Sequence, residues 1–308
     1  MKKLLILITA LTLTMPVAAN AALKNQTTPQ PTLAILDTAL DTSLPIFKDK
    51  IAYEACILDY ASCANGSKTM FGTGAAGMPI GWMKVGGFDH GTQMASAAIQ
   101  ANPNMKIVFI RIVSHNLVNG ARKPVSNAIV GEALNWIYAN KDFYNIQAVA
   151  MSQGTHTLLS GTDYCPKEPK TELMITNLLS VGIPTFFAVG NGRDYTKIDW
   201  PSCISNSIAV GAIDQIGEIA SYSNYDKLLD IYATGYANMY APGNIQTYNV
   251  GTSVATQIAA SQYIAIKSAK PTYTFTQLYD LIIRTSLIAK SGRVPYGKLI
   301  NLQGALNG

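Results

Sequence analysis

Apolar runs alternate with helical patterns along most of the chain. Several runs, such as 107–110 (Ile-Val-Phe-Ile), are entirely apolar, which is typical of strands covered on both faces. The pattern predicts strands over 32–36, 106–113, 146–151, 184–189 and 208–213. It predicts helices over roughly 90–101, 124–140, 171–181, 253–269 and 274–287. This alternation favours an α/β fold with a mostly parallel central sheet flanked by helices.

The N-terminal residues 1–21 have the features of an export signal. Two lysines follow the first methionine, an apolar stretch covers 4–17, and 19–21 (Ala-Asn-Ala) is a small-x-small cleavage site. The alternative is an uncleaved membrane anchor, but the apolar stretch is short for a span and Pro16 lies near its end. We therefore expect a signal peptide over 1–21, no stable membrane anchor, and a protein that is secreted or periplasmic.

Composition narrows the class of the remaining chain. It is 48% hydrophobic and only 13% charged, which excludes a disordered or coiled-coil protein. The formal charge of +5 is too mild to indicate nucleic-acid binding. Residues 22–31 are polar and contain two prolines, so we expect a disordered lead-in. No repeat or linker marks a second domain, so 32–308 is predicted to be one domain.

The four cysteines become disulfide candidates in an exported protein, because an even number in an oxidising compartment favours pairing. Cys56 and Cys63 are close together, as in a short staple, which leaves Cys165 with Cys203. Four cysteines allow three pairings and the sequence does not choose between them, while four free buried thiols are the alternative. No C-x-x-C or H-E-x-x-H motif is present, so we expect no metal site of these kinds.

Two candidate groups lie at the ends of early elements. Asp37 directly follows the first strand, where catalytic groups of parallel sheets collect, although turn-starting aspartates are common. His90 begins a predicted helix and is one of only 3 histidines. The other two, His115 and His156, lie just after strands among polar residues. Any histidine base must be one of these three.

Two further candidates lie later in the chain. Asn191 follows a buried strand and is flanked by glycines, so it is either a turn residue or an amide directed at an oxyanion. Ser253 lies two residues after Gly251 at the head of a predicted helix. A serine there is either a helix cap or a nucleophile held where backbone N–H groups favour developing negative charge.

The order of these four groups and their flanking residues resemble the subtilisin-like serine proteases (subtilases). The resemblance covers roughly residues 32–270. Four motifs carry it: Asp37-Thr38-Ala39 is similar to Asp-Thr-Gly, His90-Gly91-Thr92 to His-Gly-Thr, 188–191 (Ala-Val-Gly-Asn) to Ala-x-Gly-Asn, and 251–255 (Gly-Thr-Ser-Val-Ala) to Gly-Thr-Ser-x-Ala.

The resemblance implies a subtilisin-like three-layer fold and an exported serine endopeptidase over 32–308. It implies a catalytic triad of Asp37, His90 and Ser253, with Asn191 as oxyanion donor. It also implies substrate-binding segments, with the candidates Ser152, Gln153, Gly154, Ala188, Val189 and Gly190. We expect a monomer that acts on proteins or peptides and requires no cofactor. Calcium sites are common in the family, but no dense carboxylate loop assigns one here.

Departures from the motifs motivate a second hypothesis. Ala39 replaces a glycine, Gln93 a histidine, Ser96 a glycine and Gln257 a proline, although none of these changes removes a catalytic group. Only residues 22–31 separate the cleavage site from the first strand, so we expect no propeptide of the family's usual kind. The alternative is a catalytically weak subtilase-like protein that binds peptides or a partner.

The sequence excludes two other interpretations of the motifs. An α/β-hydrolase needs its histidine after the nucleophile in chain order, and no histidine follows Ser253. Residues 72–77 form a G-x-G-x-x-G, but a dinucleotide site needs a strand before it and a helix after it. The sequence pattern indicates neither context, so we predict a flexible loop there.

Overall fold

The computed structural model describes residues 30–84, 87–116, 118–156 and 164–308. The predicted signal peptide, and the lead-in up to residue 29, lie outside the described residues. The strands are β1 (Thr32–Asp37), β2 (Ile51–Ile57), β3 (Thr69–Phe71), β4 (Lys106–Arg111), β5 (Ile146–Met151), β6 (Thr185–Ala188), β7 (Ile208–Ile213), β8 (Ile231–Thr234), β9 (Tyr236–Ala241), β10 (Ile245–Val250), β11 (Leu287–Ala289) and β12 (Gly297–Leu299). The helices are α1 (Ile80–Lys84), α2 (His90–Ala101), α3 (Asn127–Asn140), α4 (Pro169–Ser180), α5 (Thr252–Ala269), α6 (Phe275–Thr285) and α7 (Leu302–Asn307).

A large sheet forms the centre of the described part of the chain. Its 10 strands are ordered β11-β12-β8-β7-β6-β5-β1-β4-β2-β3. Every neighbouring pair from β12 to β2 is parallel, while β3 and β11 add antiparallel edges. A separate antiparallel pair, β9 and β10, leads into α5. The predicted α/β class with a mostly parallel sheet is confirmed.

Alternating side chains of β1 explain why the central strands are apolar throughout. Leu33 and Ile35 pack into a core with residues of α2, α5 and α6. Ala34 and Leu36 point to the other face and pack with residues of α3 and α4. Each of these four side chains is fully buried, and burying one large aliphatic side chain stabilises the fold by about 1.5–3 kcal/mol. Helices on both faces therefore form the outer two of three layers.

The strand order determines where polar side chains can meet. Strands β6, β5 and β1 are adjacent and parallel, so their carboxyl ends lie along one edge of the sheet. Asp37 is the last residue of β1, and the segments that follow β5 and β6 carry Ser152 and Asn191, respectively. Ligands of open parallel sheets bind at this edge, because the loops and the helix N-termini converge there.

Two disulfides link the described residues. Cys56 pairs with Cys63 across a sequence separation of 7, and Cys165 pairs with Cys203 across a separation of 38. The structure thus selects one of the three pairings that the sequence left open. The longer loop contributes more, since closing it removes about 4 kcal/mol of chain entropy from the unfolded state.

The glycine-rich segment 72–77, which was predicted to be a flexible loop, is held in place by hydrogen bonds. The carboxylate of Glu54, which is buried on β2, accepts hydrogen bonds from Gly74 N–H at 3.0 Å and from Ala76 N–H at 3.3 Å. The Ala76 carbonyl in turn accepts a bond from Leu40 N–H at 3.1 Å. The loop therefore packs against the segment that follows Asp37.

Candidate active site

His90 is positioned by contacts between the end of β1 and the start of α2. The Thr38 hydroxyl donates to the Phe88 carbonyl at 2.9 Å and accepts from Gly91 N–H at 2.7 Å. It thereby satisfies one of the backbone N–H groups that a helix leaves open at its N-terminus. Because Thr38 follows Asp37 directly, this contact fixes the distance between the carboxylate and the histidine.

Gly91 allows α2 to approach β1 closely. A Cβ at this position would lie 2.6 Å from the Ala39 carbonyl oxygen and 2.8 Å from the ring of Phe109. The neighbouring Thr92 is also fully buried, and its hydroxyl accepts from Asp41 N–H at 3.0 Å. Close packing and burial thus explain the last two residues of the His-Gly-Thr motif, Gly91 and Thr92.

Asp37 and His90 form a close pair. His90 Nδ1 lies 2.7 Å from Asp37 Oδ1, and the carboxylate is completely buried. A carboxylate can only accept, so His90 Nδ1 carries the proton and Nε2 is left as an acceptor. Oδ1 also accepts from Thr38 N–H at 2.7 Å and from Gln153 Nε2 at 2.8 Å. Asp37 Oδ2 is buried and has no partner among the described residues.

Ser253 is the second residue of α5, and its contacts run to the segment after β5. Its hydroxyl donates to the Ser152 carbonyl at 3.2 Å, and the Ser152 hydroxyl donates to the Ser253 carbonyl at 3.0 Å. Gln257, one turn further along α5, donates to the Ser152 hydroxyl at 2.9 Å. Within the described part of the chain, no hydrogen bond joins Ser253 to His90, but both side chains line the same cavity.

Asn191 is anchored through its oxygen. Asn191 Oδ1 accepts from Thr252 N–H at 2.9 Å and from the Thr252 hydroxyl at 3.0 Å. These two bonds fix the orientation of the amide and leave its Nδ2 as the free donor beside Ser253 in the cavity. The side chain therefore both caps the first turn of α5 and presents a donor next to the serine.

Two adjoining cavities meet at these groups. One has a volume of about 300 Å³ and the other of about 270 Å³, and both are lined by His90, Arg122, Asn191 and Ser253. The larger extends towards Asn249 and Val250. The arrangement places an oriented imidazole, a hydroxyl and an amide donor around one space, which is what acyl transfer to a serine requires.

Most of the predicted substrate-binding residues line the smaller cavity of about 270 Å³, which we call the second cavity. Ser152, Gly154, Ala188 and Gly190 all line it. Gln153 also reaches it, but its side chain is buried and bonded to Asp37, a contact that the motif did not indicate.

Val189 differs from the prediction. Its side chain is fully buried in the core that faces α3 and α4. Its carbonyl accepts from Asp199 N–H at 2.9 Å. The alternation of side chains past β6 turns Val189 away from the cavity, so it supports the wall and does not line it.

The residues that depart from the family's motifs are accommodated by new contacts. Ala39 does not adopt a positive φ, so a glycine is not required there. The Gln93 amide donates to Asp89 at 2.8 Å and accepts from Asn249. The Ser96 hydroxyl accepts from Tyr240 N–H at 2.9 Å, and this bond joins α2 to β9. Gln93 lines the larger cavity, and Gln257 bonds to Ser152, which lines the other one.

The other two histidines lie apart from Ser253. His115 packs edge-on against Trp82 and accepts from the buried Arg111 at 3.1 Å. Burial and the charge of Arg111 lower the pKa of His115. His156 donates from Nδ1 to Asp199 at 2.9 Å. Of the three histidines, only His90 is therefore paired with Asp37.

Several residues of the site were missed by the sequence analysis. Asp199, Arg122 and Thr252 line the second cavity, and Asn224 supports its wall. No motif points to Asp199, because the position depends on a loop that returns through the bridge between Thr155 and Trp200. Among the described residues, no group of three or more His, Cys, Asp or Glu side chains is arranged to hold a metal. The expectation that no cofactor is required stays untested, and calcium stays unassigned.

The chain matches one known protein family over most of its length. The model of the subtilase family (Peptidase S8) matches residues 29–305. The chain belongs to the subtilase family. The resemblance stated from the four motifs is thereby confirmed. As a subtilase, the chain has serine proteases as its relatives.

Individual relatives of this subtilase are distant. It is 29% identical to a thermostable alkaline protease of Halalkalibacterium halodurans over 208 residues, which cover 64% of this chain and 52% of that protein. It is 26% identical to a subtilisin of Bacillus pumilus, covering 71% and 78% of the two chains. The chain spans only about half the length of several curated relatives.

Solved structures agree on the fold. The protease domain of PatA, studied as a mutant, superposes with a TM-score of 0.70 at 18% identity, covering 91% of this chain and 94% of that one. The epidermin leader peptide processing serine protease of Staphylococcus aureus gives a TM-score of 0.71 at 16% identity, covering 91% and 76%. These likenesses support the three-layer subtilisin-like architecture.

Proposed function

We propose that this subtilase is an exported serine endopeptidase that hydrolyses peptide bonds with Ser253 as nucleophile. The observation that carries the proposal is the 2.7 Å contact between buried Asp37 and His90, at the edge of a cavity that also holds Ser253 and Asn191. A buried carboxylate paired with a histidine that shares a cavity with a serine supplies the groups that activate a hydroxyl.

In the proposed mechanism, Ser253 Oγ attacks the carbonyl carbon of the scissile bond. His90 Nε2 takes the hydroxyl proton and later gives it to the leaving amine. Asp37 keeps the proton on Nδ1 and stabilises the imidazolium, and Gln153 and Thr38 N–H hold the same carboxylate oxygen. Water then repeats the sequence on the acyl-enzyme and releases the second product.

The developing oxyanion would be bound by Asn191 Nδ2 and by the backbone N–H of Ser253. The two bonds from Thr252 to Asn191 Oδ1 orient this amide before the reaction, so that little reorganisation is needed when charge develops. Residues 152–154 leave the sheet after β5 and supply main-chain groups to which an extended substrate could add as a strand.

The contact between the Ser253 hydroxyl and the Ser152 carbonyl describes a resting state. For attack, the hydroxyl must turn from Ser152 towards His90, a rotation about a single side-chain bond. Catalytic hydrogen bonds of free enzymes are often long and tighten when substrate binds. If the rotation does not occur, the site becomes the weak peptide-binding scaffold of the second hypothesis.

The proposed location outside the cytoplasm rests on two observations. Both disulfides are of the kind that persists in oxidising compartments. Together with the N-terminal pattern, they support export to the periplasm or the medium. No helix among the described residues is long and apolar enough to cross a membrane.

Hydrolysis of a denatured protein tests the proposed function. The chain, purified after export, is incubated with reduced and alkylated casein, and new N-termini are counted while the peptides are sequenced by mass spectrometry. We expect internal cleavages that stop when the protein is first treated with a fluorophosphonate and that continue in EDTA. A correctly folded protein that binds casein but releases no peptides would instead support the binding-scaffold hypothesis.

A further inference from the structure

Asp199 lines only one of the two cavities. It lines the cavity of about 270 Å³ but not the adjoining one, whereas His90, Arg122 and Ser253 line both. Asp199 thus belongs to the part of the second cavity that the larger cavity does not share. A substrate side chain next to the scissile carbonyl would enter this part, between the walls formed by residues 152–154 and 188–190.

Asp199 is held by one of its two carboxylate oxygens. Oδ1 accepts from His156 Nδ1 at 2.9 Å and from Asn224 Nδ2 at 3.1 Å. Asn224 is completely buried and also donates to the Val189 carbonyl at 3.1 Å, so it ties Asp199 to the wall. No hydrogen bond from the described residues reaches Oδ2. This oxygen therefore keeps its capacity to accept a bond from a ligand.

Two glycines pack directly against the Asp199 carboxylate. A Cβ on Gly190 would lie only 2.2 Å from Asp199 Oδ2, and Gly190 adopts a φ of +100°, which favours glycine. A Cβ on Gly154 would lie 3.4 Å from the Asp199 Cβ and 3.9 Å from Oδ2. No side chain at either of these two positions therefore covers the carboxylate.

The chemistry of the lining disfavours an apolar occupant. Ala188 is the one apolar side chain among the cavity-lining residues that the structure describes, and the other lining groups are polar, charged or glycine. A large apolar side chain would cover Asp199 Oδ2 without offering it a hydrogen bond, and burying a carboxylate oxygen that has no partner is costly. An ammonium or guanidinium group would instead form a charge-assisted hydrogen bond.

We propose that Asp199 selects substrates with lysine or arginine at P1, the residue that donates the scissile carbonyl. This specificity rests on the proposed peptidase function and adds a substrate class to it. Oδ2 accepts the bond from the P1 cation, while His156 and Asn224 hold the carboxylate in place through Oδ1. Since only one oxygen is free, the contact is a single hydrogen bond, which either basic side chain can make.

The environment of Asp199 agrees with a role in binding a cation. Burial raises the pKa of Asp199, against the lowering effect of its hydrogen bond from His156. Asp194 adds a second negative charge nearby, while Lys197 and His156 act in the opposite sense. A bound cation would offset the cost of keeping this partly buried carboxylate ionised.

A P1 substrate library tests the specificity. We expect kcat/KM for arginine or lysine at P1 to exceed that for leucine by about 100-fold, since the cation forms a bond that leucine lacks. In Asp199→Asn, which keeps the shape of the side chain, this ratio should fall by about 10- to 100-fold. Separate arginine and lysine substrates show which cation fits better. A preference for apolar P1 residues would overturn the proposal, as would a basic preference that persists in the variant.

Asp194→Asn is the matched control. It removes the same charge a few residues away, but Asp194 does not line the cavity and binds Thr196. The P1 preference should be unchanged in this variant. A loss as large as that in Asp199→Asn would mean that overall charge sets the preference, and would reject a direct contact.

A binding measurement separates this proposal from the peptidase function. Benzamidine, a mimic of the arginine side chain, is titrated calorimetrically into the Ser253→Ala protein with and without Asp199→Asn. Binding that weakens at least tenfold without Asp199 supports the cation pocket, even if the protein cleaves no substrate. Peptide cleavage without benzamidine binding would leave the proposed function intact and overturn the pocket.

Discussion

Replacing Ser253 by alanine is expected to reduce kcat on a peptide substrate by about 10⁶-fold, because the proposed nucleophile is then absent. The substitution removes one hydroxyl, whose described bond is the 3.2 Å contact with the Ser152 carbonyl, so the loss in stability should be small. Turnover is measured with a fluorogenic peptide, and folding is monitored by circular dichroism and thermal unfolding.

Ser268→Ala is the matched control for this experiment. Ser268 lies on the same helix, α5, and its exposed hydroxyl bonds only to the Ile264 carbonyl one turn earlier. This variant should retain full turnover. Activity that persists in Ser253→Ala at a comparable level would assign the hydrolysis to another group or to a contaminating protease.

Replacing Asp37 by asparagine should lower kcat by about 10⁴-fold. The amide keeps the size of the side chain but removes the negative charge that stabilises the His90 imidazolium in the transition state. Because Asp37 is completely buried, solvent cannot supply a replacement for that charge. If the new amide nitrogen donates to His90 Nδ1, it also favours the wrong tautomer, with the proton on Nε2.

Asp41→Asn separates this effect from a general change in the loop after β1. Asp41 is also buried, and its carboxylate accepts bonds from Ser43 and Gly243. The kcat of the Asp41→Asn variant should stay within about threefold of the parent value, as expected for a side chain that does not touch the reacting groups. Equal losses in Asp37→Asn and Asp41→Asn would indicate that loop structure, and not the charge beside His90, controls activity.

The core elements of the fold could be predicted because, for each of them, the sequence shows both a clear periodicity of apolar residues and a clear residue at which that pattern ends. Helix α2 begins at His90 and ends at Ala101, as the pattern predicted, and β5 and β7 have their predicted bounds. The predicted strand over 106–113 ends at Arg111 in the structure, although residues 112–113 are buried and apolar and the Ile112 N–H still donates to the Asp37 carbonyl at 2.9 Å.

Other strands lacked such a signal. Strand β2 contains Glu54, whose burial is explained only by the backbone N–H groups of the glycine-rich loop. Strands β9 and β10 carry several polar and exposed residues and pair mainly with each other, so no buried apolar run marks them. Their pairing nevertheless matters, because β10 leads directly into Gly251 and α5.

The candidate site could be read from motifs, whereas its supporting contacts could not. Asp37, His90, Asn191 and Ser253 each lie at an element end, which the sequence marks. The bond from Gln153 to Asp37 and the position of Asp199 depend on how distant loops fold over the sheet edge. Such long-range contacts have no local pattern. The catalytic roles of the four motif residues stay predictions that the variants above test.

Locating the adduct of a fluorophosphonate probe tests the central claim most directly. The folded protein is labelled, digested with a second protease and analysed by tandem mass spectrometry. We predict one adduct per chain, on Ser253, and its formation should require His90. An adduct on a different residue, or no adduct on protein that is correctly folded, would contradict the assignment of Ser253 as an activated nucleophile.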